Sequence, residues 1–130
     1  MSRRIATSLL LCSLISFAAP AFAQTTGEIA KGNCKSVSAT CQKAVDYCNE
    51  KQGKLGSADT TNVLKDAIDA CKATSGFLAR NSELSAKSAA VSIDACNQAA
   101  KTCDQFKDDQ QMTSCANECR KAVGNLQKLK

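Results

Sequence analysis

The sequence has no histidine, no tryptophan, one proline and, with four phenylalanines and one tyrosine, few aromatic residues in its 130 positions. Without histidine there is no Ser-His-Asp triad, no Cys-His nucleophile pair and no His-ligated zinc or haem site. A single proline and six glycines exclude collagen-like and proline-rich chains. Runs of β-branched residues are also missing, which removes the usual material for strands. No general base, nucleophile pair or glycine-rich phosphate loop is visible, so no enzymatic activity is expected. What remains is ordinary for a globular protein: 44% hydrophobic and 22% charged residues, in a length that suits one domain.

The first 23 residues read as a secretory signal peptide. Arg3 and Arg4 form a positive start, an apolar stretch runs from Ile5 to Ala19, Pro20 breaks it, and Ala21-Phe22-Ala23 offers a small-x-small cleavage pattern before Gln24. The apolar run is short of the ~20 residues a spanning helix needs, so no stable membrane anchor is expected after cleavage. Cys12 lies inside this segment, where bulky Leu11 before it argues against a lipoprotein site. The pair Arg3-Arg4 hints at twin-arginine export, although Ile5-Ala6-Thr7 departs from that motif. The expectation is an exported chain, periplasmic or secreted, whose mature part is residues 24–130.

That mature part keeps eight cysteines and a net charge of +3, since both arginines of the leader are lost from an overall +5. Its lysines are interspersed with acids, and no basic-aromatic pattern suggests nucleic-acid binding. It is rich in Ala, Lys, Gln and Glu, which favour helix. Four helices are expected: roughly Thr26 to Lys51; Asp59 or Thr60 to Arg80; Glu83 to Phe106; and Asp108 or Asp109 to Leu126. Gly53 and Gly56 mark the first loop, and Asn81 and Ser82 close one helix and cap the next. Short connections between helices of this length predict an all-α, antiparallel four-helix bundle.

Cysteine spacing carries the functional signal. Cys34, Cys41 and Cys48 are seven apart, as are Cys96 and Cys103, and Cys115 and Cys119 are four apart. At ~3.6 residues per turn each set falls on one stripe of its helix, where Leu or Ile normally faces a core. Helices starting at common heights would place Cys41, Cys71, Cys96 and Cys119 in a middle layer. Cys48, Cys103 and Cys115 would form a second layer, with Cys34 further out and without a partner. Such a column of inward thiols suits soft metals. Zinc and iron–sulfur sites normally use Cys-x-x-Cys loop pairs, which are absent, whereas Cu(I) tolerates low coordination and shared thiolates. The competing reading is structural. Eight cysteines in an exported chain could form interhelical disulfides, making a stapled periplasmic interaction module. Spacing alone leaves the two open.

The stretches Ile68-Asp69-Ala70-Cys71-Lys72-Ala73-Thr74, Leu78 to Ser82, Ile93-Asp94-Ala95-Cys96 through Cys103-Asp104, and Cys115-Ala116-Asn117-Glu118-Cys119-Arg120 resemble the bacterial copper storage protein family over about Asn33 to Val123. The resemblance implies a four-helix bundle that takes up more than one Cu(I) per chain through core thiolates, commonly as a multimer, with exported and cytosolic branches. Carried to this chain, the implied metal ligands are Cys34, Cys41, Cys48, Cys71, Cys96, Cys103, Cys115 and Cys119, with metal ions as partners and a homo-oligomer as an option. Ser38, Val45, Ser88, Ser92, Ala100 and Ala122 stand where a fuller family pattern would repeat cysteine. Exported members tend to place Met or His at the bundle mouth, and here Met112 alone could serve.

Overall fold

Thr25 opens the first helix through a reciprocal cap. Its hydroxyl accepts from the Glu28 amide at 3.2 Å while the Glu28 carboxylate accepts from the Thr25 amide. From there helix α1 runs Thr26–Glu50, followed by α2 (Ala58–Ala79), α3 (Ser85–Cys103) with a 3-10 turn at Asp104–Phe106, and α4 (Gln110–Leu126). The computed structural model describes residues 24–129, and the expected signal peptide lies outside these. The four helices pack in a closed ring: each contacts its neighbours in chain order, and α4 closes on α1. This is the antiparallel all-α bundle expected from the sequence.

Local chemistry sets the helix ends, and some differ from expectation. α2 is capped by Ser57, whose hydroxyl accepts from the Thr60 amide at 3.3 Å, rather than by Asp59 or Thr60. The Thr60 hydroxyl is instead turned onto the Lys54 carbonyl at 2.8 Å. In this loop Gly56 approaches the end of α1 so closely that a Cβ would stand 2.3 Å from the Lys51 carbonyl oxygen. Asn81 does close α2, at φ 51. The Asn81 amide bonds Leu78 O and the Ser82 amide bonds Phe77 O, the pattern that satisfies the last carbonyls of a helix. The Ser82 hydroxyl accepts from the Leu84 amide, and α3 starts at Ser85 without a side-chain cap. Asp109 caps α4, accepting from the Gln111 and Met112 amides.

The core is built from small residues. On α1 the buried positions are Ala30, Cys34, Val37, Cys41, Ala44, Val45 and Cys48, the three-to-four spacing of one helical face. Leu64, Met112 and Leu126 are the largest fully buried side chains. No described helix is long and apolar enough to cross a membrane.

Candidate metal centre

All eight cysteines of the described residues are 0–1% exposed. They form one continuous line of sulfur along the bundle axis. Near the end where α1 begins, Cys34 lies against Cys71, whose sulfur is 3.6 Å from that of Cys96. Cys96 in turn faces Cys119, and the Cys119 sulfur is 3.7 Å from that of Cys41. Cys103 is flanked by Cys119 and Cys48. At the far end the Cys48 thiol donates to the Met112 thioether sulfur at 3.6 Å.

The densest group is Cys41, Cys115 and Cys119, whose sulfurs all lie within 4.8 Å of one another. Cys41 and Cys115 are joined as a disulfide across α1 and α4, with Cα atoms 4.9 Å apart. The other six are free thiols. A disulfide sulfur is a poor metal donor, so this group offers three sulfur ligands only after a two-electron reduction of the disulfide, which gives two thiolates, or two thiols that release their protons on binding metal.

Electrostatics differ along the line. Cys71 is drawn down to about 4, first by the hydrogen bond from Cys34 and then by that from Cys96, with burial opposing and Ser92 assisting. The proton withheld from Cys71 stays on its neighbours: bonding to Cys71 raises Cys34, and bonding to Cys119 and Cys71 raises Cys96. Burial pushes Cys103 up to about 12, with the Cys119, Cys48 and Asp104 charges adding to it. Burial also raises Cys48, helped by Asp109. At the end of the line where α1 begins, ionisation is therefore favoured at Cys71 over its neighbours Cys34 and Cys96.

The expected layers are partly corrected. Cys41 and Cys119 do meet, as do Cys71 and Cys96. Cys115, however, is bonded to Cys41 rather than level with Cys48, and Cys34 has a partner. The reason is stagger. Asn33–Asn125, Cys41–Cys115 and Tyr47–Asp109 are the facing pairs of α1 and α4, joined by a 2.6 Å hydrogen bond, the disulfide and a 2.6 Å hydrogen bond. They start α4 level with the last turn of α1 but short of its end. On the other side α1 and α2 are flush where α1 begins: Cys34 is eight residues after Thr26, and Cys71 is eight before Ala79.

Met112, which the resemblance allowed at the bundle mouth, is fully buried and touches a thiol, completing the sulfur line at its far end. One feature had little signal in the sequence. Thr74, Ser88 and Ser92 form a hydroxyl cluster beside Cys71, with Thr74 Oγ1 2.6 Å from Ser88 Oγ and 2.7 Å from Ser92 Oγ. Only the positions of Ser88 and Ser92, on the stripe where thiols repeat, hinted at it.

No curated protein matches the chain in sequence. The family model described as copper storage protein matches residues 23–130, well over half of the chain. With its ring of four helices and its core of sulfur, the chain belongs to the copper storage protein family.

Proposed function

We propose that this protein stores or sequesters Cu(I) in an exported compartment, through the thiolates of its axial sulfur line. The observation that carries the reading is that line itself: eight cysteines and Met112, all buried, spaced from one end of the core to the other. Soft sulfur donors without histidine or an oxygen-rich cage favour Cu(I) among biological metals. Their distribution supports more than one ion per chain, one among Cys34, Cys71 and Cys96 and another among Cys41, Cys115 and Cys119. Cys48, Cys103 and Met112 offer sulfur near the far end. Cys71, drawn down first by the hydrogen bond from Cys34 and then by that from Cys96, gives up its proton to a metal more readily than those two neighbours. Export rests on the leader-like first 23 residues. No catalytic step is assigned.

The Cys41–Cys115 bond favours a second reading, that of a stapled helical module. It ties the first helix to the last across 74 residues. On a chain-entropy account, a loop of that length stabilises by about 4 kcal/mol. One titration separates the two. Protein reduced with a dithiol and freed of reductant should hold several Cu(I) per chain against a strong chelator, and the disulfide form should hold fewer. No copper retained by the reduced form would leave the staple as the better account.

A further inference from the structure

The Cys41–Cys115 disulfide lies beside the sulfur line and does not interrupt it. The six free thiols run on without it: Cys34 to Cys71, Cys71 to Cys96 at 3.6 Å, and Cys96 to Cys119. From Cys119 the line passes to Cys103 and then to Cys48, which ends on Met112 at 3.6 Å. The bonded pair meets this line at Cys119, whose sulfur is 3.7 Å from that of Cys41. Forming the bond therefore withdraws two sulfurs and leaves two groups of three thiols: Cys34 with Cys71 and Cys96, and Cys119 with Cys103 and Cys48.

The pair is set to form that bond in place. Cys41 on α1 and Cys115 on α4 hold their Cα atoms 4.9 Å apart, inside the ~4.4–6.8 Å that a disulfide spans. The Asn33–Asn125 and Tyr47–Asp109 hydrogen bonds hold α1 and α4 at this stagger independently of the sulfurs. Closing the bond from two thiols releases two electrons and two protons. Two electrons match two copper ions, since each needs one to pass from Cu(II) to Cu(I). The two groups of remaining thiols are soft sites for those two ions. With no histidine in the sequence, the core lacks the imidazole donors that hold copper as Cu(II).

We infer that this protein itself reduces Cu(II), with Cys41 and Cys115 as the electron source and the six remaining thiols as receivers of the Cu(I) formed. The inference rests on the Cu(I)-binding reading above and adds the oxidation state in which copper is taken. Two Cu(II) and two thiols give two Cu(I), one disulfide and two protons. The S–H bonds of Cys41 and Cys115 break, their sulfurs join, each Cu(II) gains one electron, and the protons leave to water. The step is stoichiometric: it runs once per chain until the disulfide is reduced again. Soft thiolates draw it forward because they select Cu(I). All eight cysteines are 0–1% exposed, so Cu(II) reaches them by the same opening of the bundle that any copper ion must use.

Anaerobic addition of Cu(II) sulfate to the reduced, metal-free mature chain, freed of dithiol, tests it. About two equivalents should lose their Cu(II) electron paramagnetic resonance signal. Thiols counted after copper removal and unfolding should fall from eight to six. Peptide mapping should find the new bond between Cys41 and Cys115. The double variant C41S/C115S, checked for helix by circular dichroism, should reduce Cu(II) at least about tenfold more slowly. A persistent Cu(II) signal, eight thiols remaining, a bond between other cysteines, or a folded double variant as fast as the wild type would overturn the proposal. The mapping uses the wild type, so it decides the matter even where the double variant does not fold. A parallel arm supplies the same protein with Cu(I). Cu(I) kept against a chelator while Cu(II) stays unreduced would sink this inference alone. Reduction at Cys41–Cys115 with Cu(I) not kept would sink the storage reading and leave the electron transfer standing.

Discussion

The Tyr47 hydroxyl donates a 2.6 Å hydrogen bond to the carboxylate of Asp109, the residue that caps α4. One contact thus fixes where the last helix starts against the first, one turn from the Cys48–Met112 pair. Asp109→Ala removes both the cap and this tie. It should cost about 1–2 kcal/mol in urea unfolding, whereas Tyr47→Phe, which leaves the cap in place, should cost about 1 kcal/mol or less. Equal costs would mean that the tie, rather than the cap, holds the helix end.

Cys34→Ala should disturb the sulfur line as much as Cys71→Ala does. Cys34 is the first of the donors that hold the Cys71 thiolate. Its loss should move the Cys71 titration upward from about 4, visible as thiolate ultraviolet absorbance against pH in reduced, metal-free protein. Both variants should also bind less Cu(I). A Cys34→Ala protein with unchanged absorbance and copper capacity would show that Cys34 stands apart from the line.

Stability of the reduced, metal-free protein should fall as the pH rises past about 9. Burial lifts Cys103 from 9.0 to about 12, so the unfolded chain loses that proton before the folded one does. A raised folded pKa contributes stability that is intact below the unfolded value and is lost as pH rises toward the folded one. The loss should therefore run between about 9 and about 12. Cys103→Val should flatten that part of the curve, measured by urea midpoints at stepped pH. An unaltered slope would put the effect on other groups.

Thr74 is 0% exposed and shares hydrogen bonds with Ser88 and Ser92. Thr74→Val keeps the shape and leaves the Ser92 hydroxyl without this partner, at a cost of about 1–3 kcal/mol. Ser92→Ala with Thr74→Val, removing both buried partners, should cost less than the sum of the single changes. Additive costs in urea unfolding would show that the two hydroxyls are not coupled.

Gly56→Ala should destabilise by about 1–3 kcal/mol, because the new methyl would meet the Lys51 carbonyl oxygen and the Cys48 carbonyl oxygen behind it. Gly32→Ala, where a Cβ meets nothing within 4 Å, is the control and should be neutral or stabilising. Thermal midpoints of the pair give the answer.

Much of this was determined by the chain order alone. The seven-residue steps from Cys34 to Cys41 to Cys48, and from Cys96 to Cys103, put thiols on one face because helical periodicity is a local property of the backbone. Asn81 closing α2 could be read for the same reason: a helix end is completed within a few residues. The heights at which thiols meet depended on contacts far apart in sequence. The pairs Asn33–Asn125, Cys41–Cys115 and Tyr47–Asp109 slide α4 along α1, and that slide decides that Cys115 reaches Cys41 rather than Cys48. Periodicity repeats every turn, so it gives the same face at any offset; only the packed loops and the long-range pairs select one. The same holds for Cys34, whose partner Cys71 is set by how the Gly53–Gly56 loop folds back before α2 begins.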